Sequence, residues 1–383
     1  MSCSGFRCKT LWTMEDSCPK IDNGAVVIEK NRIIDIGKFS DLIKIYPSSI
    51  FQDLGEVSVV PGLINMHTHL ELSHLYGKTR LGKGFTSWLK SLIPHLILPI
   101  RKKKIKETIQ DIKSSGTVAV GDITYRAANK VYSVLKEENM DYCLFIEFLG
   151  KKKKLKFPKQ IDPIFDQFIS ITPHSPYSAS KELLIQSKKW ANARNRPLAI
   201  HVAESYEEIE FLTSGKGELY KIVKPILPRN FVVPMAHPVN YLDSIGLLDH
   251  KTLMIHCVWV EKRHIEIIKE KGCYVCLCPR SNFFIKVGRA PWEKMFEAGI
   301  RLCLGTDGLC SNEDLNLWNE LEFLINTSKI ELSLYEFLKM ITINPAQISG
   351  LYPFLGSLSV GKKALFSFIP DKIEKLFKPK RYV

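Results

Sequence analysis

Two histidines one residue apart close an apolar run in Pro61-Gly62-Leu63-Ile64-Asn65-Met66-His67-Thr68-His69. In a strand, side chains i and i+2 point to the same side, so His67 and His69 leave one strand end aimed at one point. Neutral imidazole is the commonest protein ligand for a first-row metal, although a pair of surface or capping histidines reads the same in isolation. Three more polar groups end apolar runs further along. His201 follows Leu198-Ala199-Ile200, His256 follows Thr252-Leu253-Met254-Ile255, and Asp307 follows Arg301-Leu302-Cys303-Leu304-Gly305-Thr306. Together His67, His69, His201 and Asp307 make a three-nitrogen, one-oxygen set suited to a single Zn²⁺, with Fe²⁺ as the alternative. Such an ion makes water nucleophilic at neutral pH by lowering its pKa to about 7. Glu204, three residues after His201 in His-Val-Ala-Glu, is placed to shuttle a proton; the plain alternative is an acid at a helix start, bound to unpaired amides. His256 can polarise the attacking water or a developing oxyanion, or be a satisfied core histidine.

These groups can meet only if the runs that carry them converge. From residue 63 onward a short apolar run, a polar tip and a stretch of helical character recur. The runs are Leu63 to Met66, Thr117 to Ile123, Cys143 to Phe148, Phe168 to Thr172, Leu198 to Ile200, Thr252 to Ile255, Cys273 to Cys278 and Arg301 to Thr306. Between them, Lys104 to Ser114, Asn129 to Glu138, Lys181 to Ala193, Glu207 to Thr213, Glu261 to Glu270 and Pro291 to Ala298 space apolar residues among charges at helical period. The alternation predicts parallel strands with helices outside, and eight units fit a (β/α)8 TIM barrel of the α/β class. In that fold catalytic groups sit at the C-terminal ends of the strands, where the polar tips are. Residues 1–60 read as β structure, with Ala25 to Ile28 and Arg32 to Ile36 flanking a Lys30-Asn31 turn, and with a further strand at Glu56 to Val60. After the eighth run come helical Asp314 to Thr327 and Ser333 to Ile341, a helix turn from Asn344, and a last strand at Ala364 to Ile369. The expected organisation is a barrel over 61–343 and a small β-sandwich domain built from 1–60 and 344–383.

The 383 residues, 45% hydrophobic and 25% charged, suit a globular protein with a sizeable core. Met1 to Trp12 has no apolar core of a signal peptide, and the longest apolar stretch, Leu92 to Ile100, is broken by Pro94, His95 and Pro99. A cytoplasmic location is the expectation, and the ten cysteines, irregularly spaced, read as thiols. The net charge is +14, and the basic runs, Arg101 to Lys104, Lys151 to Lys154 and Lys378 to Arg381, are scattered without interleaved aromatics. That argues against nucleic acid, and more for a soluble surface or the attraction of a small anion.

The motifs resemble the amidohydrolase superfamily, and within it the mononuclear deaminases and chlorohydrolases. Pro61 to His69 looks like the strand-one motif, Thr172-Pro173-His174-Ser175-Pro176-Tyr177-Ser178 like strand four, and His201-Val202-Ala203-Glu204 like strand five. His256-Cys257-Val258-Trp259 and Gly305-Thr306-Asp307-Gly308 resemble strands six and eight, and Asn344-Pro345-Ala346 the late helix. The resemblance implies that His174 binds substrate. It also implies one metal, since binuclear relatives carry a lysine at the strand-four tip and none stands here. The family's usual aspartate after the Gly-Lys turn is replaced by Ala364-Leu365, which points to a reduced terminal β domain at a cost to stability rather than chemistry.

Within that group, His67-Thr-His-Leu-Glu-Leu-Ser73, Ser87-Trp-Leu89 and Cys278-Pro-Arg-Ser-Asn282 look like the aminodeoxyfutalosine deaminase branch of menaquinone biosynthesis. Glu71 is expected to touch a substrate hydroxyl or ring nitrogen, or else to form a loop salt bridge. Trp88 offers an aromatic lid, or ordinary helix packing. Arg280 can hold a substrate carboxylate, or sit in a rim ion pair. The reading is a metal-dependent aminohydrolase acting on a purine nucleoside-like small molecule, with Glu204, His256 and Asp307 as catalytic groups and 6-amino-6-deoxyfutalosine as the specific substrate. Alternatives are an S-adenosylhomocysteine, methylthioadenosine or other adenosine-type deaminase, an azine chlorohydrolase or amidohydrolase of the same fold, and a non-catalytic basic-surface binding protein. No membrane partner is expected, and a homodimer is left open.

Overall fold

A computed structural model describes residues 3–150, 155–229 and 231–377. The basic runs at Lys151 to Lys154 and Lys378 to Arg381 lie outside the described residues. Among the described residues, thirteen strands precede residue 305: β1 (Ser4–Trp12), β2 (Lys20–Glu29), β3 (Arg32–Lys38), β4 (Ile50–Asp53), β5 (Ser58–Pro61), β6 (Leu63–Thr68), β7 (Thr117–Thr124), β8 (Asp141–Phe148), β9 (Ile169–Pro173), β10 (Leu198–Val202), β11 (Thr252–His256), β12 (Tyr274–Leu277) and β13 (Arg301–Leu304). The last strand, β14, is Phe366–Phe368. Strands β6 to β13 form one parallel sheet in sequence order, the eight-stranded barrel that the runs predict. Their residues are almost all buried, because helices cover one face and the barrel interior the other.

Closure falls at β13 against β6, beside the paired histidines. The amides of Thr306 and Asp307 both donate to the His67 carbonyl at 3.0 Å, and Thr68 and Asp307 form a parallel bridge. Asn65 reinforces the seam, its Nδ2 donating to Thr306 Oγ1 at 2.8 Å. Gly305 permits this approach: a Cβ there would lie 2.5 Å from the His67 Cβ. The barrel interior is filled by Met66, Phe145, Leu253 and Ile255 together with Cys143, Cys276, Cys278 and Cys303. These cysteines serve as small hydrophobes, and all ten are free thiols.

The outer helices are amphipathic. Lys102–Ser114 buries Ile105, Thr108, Ile109 and Ile112, one helical face, and its Lys102 meets Glu137 at 2.9 Å on the other. The helix expected from Asp314 begins instead at Leu317, because Asn316 caps it by accepting from the Trp318 amide. The terminal β unit takes the form of one six-stranded mixed sheet, ordered β14-β5-β1-β2-β3 with β4 also on β1. β4 pairs with Ser4 to Arg7 and β5 with Thr10 and Leu11, both along a single edge of β1. The β2–β3 turn places Lys30 at φ 50° and Asn31 at φ 61°, the pair of positive φ values that a tight hairpin needs. Strand β14 pairs antiparallel with β5, so the C-terminal segment rejoins the N-terminal sheet. Among the described residues no helix is long and apolar enough to cross a membrane.

Candidate active site

The strand period carries His67 and His69 to the mouth of the barrel from β6, His201 from β10, His256 from β11 and Asp307 from just past β13. His67 Nε2 lies 3.2 Å from Asp307 Oδ1, and His69 Nε2 lies 3.5 Å from the same oxygen. Ligand atoms of His67, His69 and Asp307 lie within 4.8 Å of one another, as do those of His67, His201 and His256. The second nitrogens show which atoms are left for an ion. His69 Nδ1 meets the Ile123 carbonyl at 3.1 Å and His201 Nδ1 the His174 carbonyl at 3.0 Å. Each Nδ1 therefore carries the proton, and each Nε2 presents a lone pair to the centre. Neither nitrogen of His67, fully buried, has a hydrogen-bond partner. Asp307 Oδ2 accepts from Ser281 Oγ at 2.8 Å and Ser311 Oγ at 2.6 Å, which turns Oδ1 inward. A buried imidazole without a partner, two more with lone pairs turned inward and an oriented carboxylate are a fit for one divalent cation.

The electrostatics suit the same purpose. Burial lowers His69 to about 4, with His67 adding to the effect, and lowers His256 to about 4. Burial and the neighbouring histidines hold His201 well below its ordinary value. These rings are neutral at pH 7, the form that binds a metal. Burial by itself would raise Asp307, but the close approach of His67 Nε2 and the electrostatic pull of His67, His69 and His256 outweigh it, and the carboxyl stays well below its usual range. Glu204 moves the other way. Burial, then Asp307 and Glu208, push it well above the ordinary carboxyl value. Its Oε1 stands 3.6 Å from His256 Nε2, and its backbone amide donates to Glu208 Oε2 at 2.9 Å. The strand tips are also strained. Ala203, His256, Cys257 and Asp307 have φ of 51°, 73°, 47° and 58°, in a region non-glycine residues seldom occupy and which clusters at functional sites.

A cavity of about 420 Å³ opens over this cluster, lined by His69, His174, His201, Glu204, His256 and Asp307 at its polar end. Its apolar walls include Phe85, Trp88, Leu89, Leu92, Leu96, Val223 and Ile226. Trp88 is held against the rim by donating Nε1 to the Cys310 carbonyl at 2.9 Å. His174 Nδ1 meets Ser178 Oγ at 2.6 Å, so its Nε2 is left for the cavity.

Two sequence expectations meet a different environment. Glu71 lines the cavity, but its carboxylate already accepts from Thr124 Oγ1 at 3.1 Å and from the amides of Tyr125, Arg126 and Ala127 at 3.0, 2.8 and 2.7 Å. It organises the loop before the helix Ala128–Glu137, with three of these donors on Oε2 and the Tyr125 amide on Oε1. Arg280 is not part of the cavity lining. Asp314 takes its guanidinium through two bonds of 2.7 and 3.1 Å, Glu313 adds one at 3.3 Å, and Glu320 lies 3.9 Å away. A nearly buried arginine so paired has no charge to offer a ligand.

The cavity also holds groups that the sequence reading passed over. Glu147, inside the β8 run, lines it, as do Tyr177, Arg126 and His74. An ionisable residue within an otherwise apolar strand was the available signal for Glu147. Buried Asp122 accepts from Thr68 Oγ1 at 2.9 Å and from the Leu70 amide at 2.8 Å, fixing the turn that follows the histidine pair.

A family profile described as "Amidohydrolase family" matches residues 58–381. A protein named 5-methylthioadenosine/S-adenosylhomocysteine deaminase from Thermodesulfovibrio yellowstonii is 28% identical over 390 residues, covering 94% of this chain and 83% of its own. One named aminodeoxyfutalosine deaminase, from Deinococcus radiodurans, is 28% identical over 327 residues, covering 78% of this chain and 75% of its own. The solved structure of Helicobacter pylori aminofutalosine deaminase in complex with methylthio-coformycin gives a TM-score of 0.85 at 25% identity, covering 98% of this chain and 95% of its own.

Proposed function

The chain belongs to the amidohydrolase family and is a hydrolase acting on C–N bonds, and from that premise we propose that it hydrolytically deaminates an adenine nucleoside. The observation that carries the reading is Glu204: a buried carboxyl with raised proton affinity, 3.6 Å from His256 Nε2, beside the histidine–aspartate cluster. His67, His69, His201 and Asp307 would hold a divalent ion, Zn²⁺ by the character of the set and Fe²⁺ as the alternative, and the ion would supply Lewis acidity that makes water nucleophilic at neutral pH.

The residues divide the remaining work. His256 donates Nδ1–H to Asn282 Oδ1 at 3.0 Å, so its Nε2 accepts a hydrogen of the water and orients it. Glu204 removes a proton from that water and delivers it to the ring nitrogen next to the amino-bearing carbon. A C–O bond forms at that carbon; the proton of the new hydroxyl then passes through Glu204 to the amino group, the C–N bond breaks, and ammonia leaves. His174 and Trp88 stand at the wall where the base would sit.

The specific substrate we favour is 6-amino-6-deoxyfutalosine, which carries a carboxylate. With Arg280 committed to acids, the anchor passes to Arg126, the one lysine or arginine among the described residues that line the cavity. The test is ammonia release by metal-loaded protein from adenosine, 5′-deoxyadenosine, methylthioadenosine, S-adenosylhomocysteine and 6-amino-6-deoxyfutalosine, with chloride release from a chlorotriazine as the rival arm. Ammonia from none of the nucleosides overturns the proposal. Arg126→Ala should lower kcat/KM for the carboxylate substrate by roughly 10- to 100-fold relative to adenosine. Arg280→Ala should affect both alike and lower Tm, and the reverse pattern removes the case for a carboxylate substrate held by Arg126.

A further inference from the structure

Of the carboxylates that line the cavity, three already have partners within the fold. Asp307 faces the histidines, Glu204 faces His256, and Glu71 accepts from four donors. Glu147 alone is left over. It comes from the penultimate residue of β8, and its Oε1 is buried without a hydrogen-bond partner. Burial, with Glu71 adding to it, raises its pKa to about 8, as expected of an acid held without a compensating donor. An unpaired buried acid costs free energy, so its persistence at the wall of a binding cavity calls for a partner that arrives with the ligand.

A second metal ion is one such partner, since ligand atoms of Glu147, His174 and His201 also lie within 4.8 Å of one another. The nitrogens do not allow it. His201 Nδ1 donates to the His174 carbonyl, so only Nε2 remains, and that atom belongs to the cluster with His67 and His256. One lone pair cannot serve two ions. A protein donor is not available either: among the described residues, the one lysine or arginine of the cavity, Arg126, makes no ion pair with Glu147.

We infer that Glu147 reads the sugar of the substrate, its open carboxyl pairing with the vicinal hydroxyls of a ribose while the base lies over the histidine cluster. The inference rests on the adenine-nucleoside reading above and deepens it. A diol matches the group in either protonation state: the carboxylate accepts from both hydroxyls, and the acid accepts from one and donates to the other. This makes Glu147 a specificity-determining residue, one that selects ribonucleosides over deoxy analogues and over azines without a sugar.

The experiment compares adenosine with 2′,3′-dideoxyadenosine as substrates of the metal-loaded full chain, in wild type, Glu147→Ala and Glu147→Gln. Wild type should prefer the diol in kcat/KM by roughly 10- to 100-fold, the worth of hydrogen bonds to a charged group. In Glu147→Ala that ratio should collapse toward one, with Glu147→Gln between. Metal content and Tm should hold in Glu147→Gln, because Oε1 has no partner within the fold to lose; a structural role would lower Tm. A ratio that survives in Glu147→Ala, or a wild type indifferent to the diol, overturns the inference. Calorimetric titration with inosine and 2′,3′-dideoxyinosine separates this from failure of the deaminase reading. If no adenine nucleoside releases ammonia, a diol preference in binding that is lost in Glu147→Ala still supports Glu147, and equal or absent binding overturns it.

Discussion

Replacing Ser281 by alanine tests the metal centre from behind. Oδ2 of Asp307 accepts from Ser281 Oγ at 2.8 Å and from Ser311 Oγ at 2.6 Å. The Ser311 hydroxyl also lies 3.0 Å from the Gly308 carbonyl, so its one proton is shared between two acceptors. Ser281, fully buried, has Asp307 as its partner among the described residues and is the dependable donor. A hydrogen bond to a charged group contributes about 1.5–3 kcal/mol, and burial leaves no water to replace it. The loss falls on the carboxylate form, the form that ligates, so Ser281→Ala should weaken metal binding by roughly 10- to 100-fold at about 1.4 kcal/mol per decade. Competition against a chelator of known affinity measures this directly. The double variant Ser281→Ala/Ser311→Ala should lose more than the sum of the singles, because only then is Oδ2 left with no donor. Wild-type metal affinity in a folded Ser281→Ala protein would refute the reasoning, since Oδ2 would then need neither hydroxyl and Asp307 would be oriented by something else.

Glu204→Gln keeps the shape but loses the titrating group, so turnover should fall by roughly 10²-fold or more with metal content retained; near-normal turnover places the shuttle elsewhere. Gly305→Ala puts a Cβ 2.5 Å from the His67 Cβ and 2.9 Å from Cys276 Sγ, so it should cost about 1–3 kcal/mol of stability and lower metal content, read by denaturant melts and metal analysis; an unperturbed variant means the closure seam tolerates what the geometry forbids. The stacked rings of His237 and His264, 3.5 Å apart, are each lowered to about 4 by burial, against about 6.5 in the unfolded chain. Between those values the unfolded chain binds protons that the native one refuses. Stability is therefore fully present above about pH 6.5 and is lost as pH falls toward 4. Denaturant midpoints at pH 7 and pH 5 should differ less in His237→Gln/His264→Gln than in wild type.

The barrel was legible because its strands are buried on both faces and so read as unbroken apolar runs of strand length. β6, β10 and β11 lie within a residue or two of those runs. The candidate metal ligands could be picked out for the same reason: a polar residue that ends such a run has only the barrel mouth to point into. β1 was not singled out, since its alternation holds over Phe6-Arg7-Cys8-Lys9 and breaks at Thr10-Leu11-Trp12. The order of the terminal sheet was not legible, because two strands share one edge of β1, a pairing no local pattern encodes.

The charged groups around the cavity show where sequence reading stops. Glu71 lies two residues past His69, and Arg280 lies just past a barrel strand, so both stood as near the chemistry in sequence as any residue can. Their fates were set by distant chain: three successive amides after β7 for Glu71, and the acids of the Glu313 to Glu320 segment for Arg280. Glu147 and Arg126 had no motif to recommend them. The property that sorts the four is satisfaction of hydrogen-bonding and charge demand within the fold. A buried charge whose demand is met inside the protein holds structure, while one whose demand is left open at a cavity wall is available to a ligand. That property belongs to the three-dimensional neighbourhood. It follows that Glu71→Gln should act mainly on stability and loop order, by weakening the acceptor that collects three amides, whereas Glu147→Gln should act mainly on substrate preference. Thermal melts set beside kcat/KM for both variants check the distinction, and equal effects on preference from the two would mean that satisfaction does not separate structural from binding acids here.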